Sequence, residues 1–183
     1  IITSASSINK LITFTELITQ KAEKSLNVNF ERYKKTTKIS NELDLAGFKN
    51  MSVLCSEDLI LNDFLKKFNF SKINEPLNPD SLLYCGLSLM GSNSNLKRSL
   101  EKYKYKYKSY PRVIKIKDKI YFVAENILKA KEIEDVFKSH LYLYSGASEK
   151  RSLSKDDIKR LESYNPQKNR LRFWFDYEGK KEI

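Results

Sequence analysis

Between Arg112 and Gly146 the chain runs through two short strand patterns, a turn and a long helix pattern, and this order constrains its fold more than any other segment. Val113, Ile114 and Ile116 alternate with basic residues up to Lys117, and Ile120 to Ala124 is a short apolar run. The pattern predicts two strands joined as a hairpin at Lys117-Asp118-Lys119. Ala130, Ile133, Phe137, Leu141 and Tyr144 then recur at helical spacing, so one amphipathic helix follows and closes near Gly146.

Other segments are read the same way. Ile8, Leu11, Ile12, Ile18, Ala22 and Leu26 fall on one face of a helix predicted over Ser4 to Leu26, capped by Ser6 or Ser7. Ile1-Ile2-Thr3 reads as the end of a strand. Residues 27 to 50 are polar and weakly patterned, a basic connector carrying Arg32, Lys34, Lys35 and Lys38. Met51 to Cys55 reads as a buried strand, after which Ser56 is expected to cap a helix with Leu61, Phe64, Leu65 and Phe68 inward. Ser81 to Cys85 reads as a further strand from its β-favouring residues, and Gly86 and Gly91 bracket a loop.

Lys102 to Lys108 alternates lysine and tyrosine, a strand by period alone. Leu96, Leu100, Tyr103 and Tyr107 instead continue one helical stripe, so a helix is expected that starts at Asn93 or Ser94 and ends before Pro111. Tyr105 then lies off the stripe. Ser154 and Asp157 form a capping box, Leu153 and Ile158 a hydrophobic staple, and the helix they open stops at Asn165-Pro166. The aromatic residues between Arg170 and Tyr177 either pack on the chain's own core or mark a contact with another domain or subunit.

Composition narrows the classes of function. Hydrophobic residues make up 40% and charged residues 31% of 183, as in a folded globular chain of one main unit. No apolar run approaches the roughly 20 residues that cross a bilayer, so no membrane span is expected, and the lone Cys55 and Cys85 read as reduced thiols of a cytoplasmic chain. Cys55, Cys85 and His140 are too few for a structural zinc site, and His140 reads as structural or as a surface residue. The carboxylates of Glu57-Asp58, Glu132, Glu134, Asp135 and Asp156-Asp157 fall at predicted helix starts or solvent faces, so none is chosen as a general base and no catalytic residue is named.

The formal charge is +11, and the window from Lys97 to Lys119 holds ten Lys or Arg and two acidic residues, a net +8. A solvated lysine face explains such a run most simply. The functional alternatives are an anionic membrane surface, phosphorylated small molecules, or nucleic acid, with Lys102, Lys104 and Lys106 on phosphates and Tyr105, alone or with Tyr103 and Tyr107, on bases. Helix and strand differ here in a testable way: on a helix Tyr103 and Tyr107 belong to the core, whereas on an exposed strand all three rings could stack.

Two pieces of the chain resemble the later part of the class II aldolase/adducin family, in particular its longer sugar-phosphate members. Ile1 to Leu26 resembles the strand and helix that follow the family's Asn-His-Gly turn. Asn78-Pro79-Asp80-Ser81-Leu82-Leu83-Tyr84-Cys85-Gly86, Tyr110-Pro111-Arg112-Val113-Ile114 and Tyr121-Phe122-Val123-Ala124 with its helix keep the order of the family's downstream extension, and Leu153 to Tyr164 suits its closing helix. The sequence departs at Ser81, where members often carry His, and at Lys117-Asp118-Lys119-Ile120, where they carry a glycine-rich turn.

The resemblance implies an α/β fold with helices layered on a small, mainly antiparallel sheet. It divides the chain into the end of an aldolase-like core over 1–50, an α/β extension over 51–150, and a C-terminal helix with an aromatic tail over 151–183. It also implies metal-dependent aldol cleavage of a phosphorylated sugar, in which a divalent ion, zinc above others, stabilises the enediolate. Three histidines in an upstream domain of the same protein would hold that ion, and this chain, with its Ile-Ile start and one histidine, would be catalytically incomplete alone. Lys115, Lys117 and Lys119 are then the candidate substrate contacts, and a homo-oligomer is expected. An adducin-like assembly domain without the reaction is the remaining alternative.

Overall fold

The computed structural model describes residues 6–27, 31–67, 73, 75–92, 95–147 and 151–174. The chain divides into two compact units, Ile1–Lys38 and Ile39–Ile183. In the first, helix α1 (Ile8–Leu26) is capped by Ser7, whose hydroxyl accepts from the Lys10 N–H, and it ends at Asn27 in the left-handed conformation. Helix α2 (Glu31–Leu45) begins in this unit and its residues from Ile39 belong to the second, and Lys34 pairs with Glu23 at 3.2 Å. The strand end expected at Ile1-Ile2-Thr3 lies outside the described residues.

The polar connector is therefore largely helical, which its weak pattern concealed. Within the second unit Ile39 and Leu43, one turn apart, are the residues of α2 buried in the core, and two positions make no apolar stripe.

The second unit is built on a four-stranded sheet of β1 (Ser52–Cys55), β2 (Met90–Ser92), β3 (Val113–Ile116) and β4 (Lys119–Ala124), in the spatial order β1-β4-β3-β2. The β3–β4 hairpin is as expected, with Lys117 in its turn at φ 55°. The sheet is mixed, a correction to the mainly antiparallel expectation. β4 pairs antiparallel with β1 and β3, but β2 runs parallel to β3. A parallel pair needs a crossover, and helix α5 (Leu96–Tyr107) provides it between β2 and β3.

Ser81 to Cys85 is a second correction, because it lies in helix α4 (Pro79–Cys85) and not in a strand. Asn78 Oδ1 accepts from the Ser81 N–H at 2.8 Å, Ser81 Oγ accepts from the Asn78 N–H at 3.1 Å, and Pro79 opens the first turn. Capping chemistry at Asn78-Pro79 outweighs the β preference of the residues behind it. Gly86 closes α4 at φ 84°, a conformation that few other residues adopt. Gly91 lies within β2 and not at a loop edge.

Apolar side chains alternate across the strands and feed two cores, one on each face of the sheet. Val113, Ile120, Phe122 and Ala124 pack with Ala130, Ile133, Phe137 and Leu141 of helix α6 (Ile127–Gly146) and with Leu61 of helix α3 (Leu59–Lys67). On the other face Ile114, Tyr121 and Val123 pack with Leu100 and Tyr103 of α5 and with Ile39 and Leu43. Helix α7 (Lys155–Ser163) has the expected Ser154–Asp157 capping box and stops where predicted, and helix α8 (Asn165–Trp174) starts immediately after it. Aromatic side chains beyond residue 170 lie outside the described residues.

Candidate functional site

The basic window from Lys97 to Lys119 folds as helix, loop and hairpin. Asn95 caps α5, its Oδ1 accepting from the Arg98 N–H at 3.0 Å, and the expected caps Asn93 and Ser94 lie outside the described residues. The stripe of Leu96, Leu100, Tyr103 and Tyr107 turns to the sheet. Arg98, Glu101, Lys102 and Tyr105, spaced i, i+3, i+4 and i+7, therefore share the outer ridge, with Lys97 and Lys106 on its flanks, and all six are exposed.

The three tyrosines separate as the helix reading requires. Tyr103 is 6% exposed and its hydroxyl donates to the Ser88 carbonyl at 2.7 Å. Burial pushes this phenol well above its ordinary pKa. Tyr107 is half-buried with its ring centroid 4.6 Å from that of Tyr103, whereas Tyr105 is 80% exposed. Only Tyr105 offers an open ring, and Lys108 Nζ sits 4.8 Å from its centroid.

Two bases of the window are engaged by the fold itself. Lys104 Nζ donates to the Ala46 carbonyl at 2.6 Å and lies 5.1 Å from the Phe48 ring centroid, so it ties α5 to the end of α2. Arg112 donates to the carbonyls of Leu83 and Tyr84 and thereby satisfies the last turn of α4. Lys115, Lys117 and Lys119 do not converge. Strand alternation places Lys115 with Val113 on the α6 face and Lys119 with Tyr121 on the α5 face, and Lys117 is exposed in the turn. β2 ends at Ser92 beside Ile116, so the Lys117 turn and the first turn of α5, with Lys97 and Arg98, lie at the same end of the sheet.

On the opposite face a polar cluster sits under α6. Glu134, expected on a solvent face, is 2% exposed. Ser56 donates to Glu134 Oε1 at 2.5 Å, and Lys131, one turn back, pairs with Oε2. Ser56 is thus engaged with α6, and Asp58 takes the capping role expected of it, its Oδ1 accepting from the N–H groups of Ile60 and Leu61 at 2.9 and 3.1 Å. Lys138 links Asp58 at 3.1 Å to Asp135 at 2.9 Å. Desolvation raises the Asp58 carboxyl, but the Leu61 N–H and Lys138 outweigh it and leave its pKa below the usual value. Ser56 is 3% exposed, so its hydroxyl has no access to a substrate and the cluster binds β1 to α6.

His140 is 3% exposed and stacks on Phe137 at 5.9 Å between ring centroids. Burial lowers its pKa to about 4, a shift that the nearby Ile73 backbone opposes, and neither ring nitrogen has a hydrogen-bond partner among the described residues. Of the two readings the sequence left for it, structural or surface, its burial fits the first. Burial likewise pushes the Cys85 thiol up to about 12, beyond nucleophilic use.

An open groove of about 850 Å³ lies between α4, α6 and α8, lined by Leu83, Val136, Pro166, Glu132, Asp135 and Arg170 among others. Arg170 also donates to Asp80 of α4 at 2.5 Å. Among the described residues no group of three or more His, Cys, Asp or Glu is placed to hold a metal ion. None of the described helices is long and apolar enough to cross a membrane. No known protein-family model matches the chain, and no curated protein matches it either.

Proposed function

We propose that this chain is a nucleic-acid-binding module whose contact surface is the outer ridge of α5, extended at one end by the hairpin turn. The observation that carries the reading is the exposure of Arg98, Lys102 and Lys106 on one side of a helix whose other side is anchored in the core. A rigid element presenting several cations neutralises phosphates and releases their counterions, giving affinity without a catalytic group.

The test is fluorescence anisotropy of a labelled oligonucleotide over a salt series. With about four phosphates neutralised, affinity should fall about a hundredfold between 50 and 200 mM salt. Arg98→Ala with Lys102→Ala should weaken binding and flatten that slope. Affinity indifferent to salt, or unchanged in the double variant, would remove the proposal.

The aldolase-like reading is a second proposal, supported by helices on both faces of the sheet and by the retained order of the Pro79-Asp80, Tyr110-Pro111-Arg112 and Tyr121 to Ala124 segments. In that reading the chain supports a sheet and an oligomer interface while upstream histidines hold the metal, and an adducin-like protein would do so without the reaction. Sequencing the coding region before Ile1 tests both. His-x-His followed by Asn-His-Gly supports the enzyme; an upstream segment without these motifs leaves only assembly.

A further inference from the structure

Resting on the nucleic-acid reading, we infer that the α5 face takes the sugar-phosphate backbone of a duplex and does not bind unpaired bases. Single-strand binders combine a basic groove with successive aromatic platforms, one for each stacked base. The sequence offers three tyrosines for such a track, and the fold removes two of them. Tyr103 is 6% exposed with its hydroxyl committed to Ser88, and Tyr107 is half-buried against it. Tyr105 is left as a single ring, with Lys108 over one face. One platform holds one base and forms no track.

The cations have the opposite arrangement. Arg98, Lys102 and Lys106 form an i, i+4, i+8 row that advances about 6 Å per step along a straight helix. Lys97 flanks the row, Lys108 follows its end, and Lys117 is exposed at the end of the sheet where the row begins. Glu101 is the acidic residue on the ridge, so the face is attractive but not saturated with charge. A duplex presents one negative charge per about 1.7 Å of axis, twice the linear density of one of its strands, and a rigid row of cations gains most from the denser partner.

The experiment compares a fluorescein-labelled duplex of about 20 base pairs with one of its strands, at equal ionic strength, by anisotropy. The duplex should bind about threefold tighter or more, and Tyr105→Ala should change its affinity less than about twofold. Arg98→Ala, Lys102→Ala and Lys106→Ala together should cost about tenfold or more, with the fold checked by circular dichroism. If the single strand binds equally or tighter, or if Tyr105→Ala costs about fivefold, this inference fails while the nucleic-acid reading stands. If neither probe binds, the underlying reading fails.

Discussion

Helices α5 and α6 cover opposite faces of one sheet, yet they use their residues differently. α6 buries seven side chains, among them a carboxylate and an imidazole, whereas α5 buries only Leu100 and Tyr103. α6 buries Glu134, which Ser56 meets at the end of β1, and His140, while most of the cations of α5 remain outside. Conserving the fold is therefore mainly the task of α6, and recognition is the task left to α5. Substitutions on the two helices should separate accordingly.

The largest effect is expected at Phe137, fully buried and edge-on to Phe122 at 5.8 Å between centroids. Phe137→Ala should destabilise by about 3–5 kcal/mol in urea unfolding. A cost near that of a surface change would mean that α6 is not the centre of the core.

Next is pH. The His140 pKa is about 4 in the fold against 6.5 when unfolded, so the unfolded chain binds the proton more tightly. Stability from keeping this imidazole neutral is fully present above pH 6.5 and is lost as pH falls toward 4, by about 3 kcal/mol. His140→Leu should flatten that slope in unfolding curves at stepped pH. A slope that persists in the variant places the titration elsewhere.

Ser56→Ala is expected to cost about 1–3 kcal/mol, because Glu134 stays buried and loses its hydroxyl donor. Calorimetric melting measures it, and a neutral outcome would show that Lys131 alone satisfies the carboxylate. The smallest effect on stability belongs to α5: Lys102→Ala should change it by less than about 0.5 kcal/mol. If the same substitution weakens oligonucleotide binding, the division of labour between the helices is sharpened; if it unfolds the protein instead, the division is broken.

Much of this was legible before the structure. The α6 stripe, the hairpin turn, the α5 stripe with Tyr105 outside it and the Ser154–Asp157 box are all short-range patterns, and each appears where it was read. The signal for α4 is present in the sequence, since Asn78 and Pro79 are start residues for a helix, but the β preference of Ser81 to Cys85 hides it. α2 is hidden for a different reason. Two apolar residues suffice to anchor it, and two are too few to show a period.

The sequence by itself determined which segments could be helix or strand, because caps, turns and apolar spacing act within a few residues. It also determined the charge of the Lys97 to Lys119 window. Only the tertiary structure decided which polar groups serve the fold and which face solvent. Glu134 is buried because Ser56 from a distant strand end meets it, Arg112 turns inward because α4 ends beside it, and Lys115 and Lys119 part company across the sheet. The reason is that a charged side chain is placed by partners far away in the chain, and burial is tolerated only where those partners arrive.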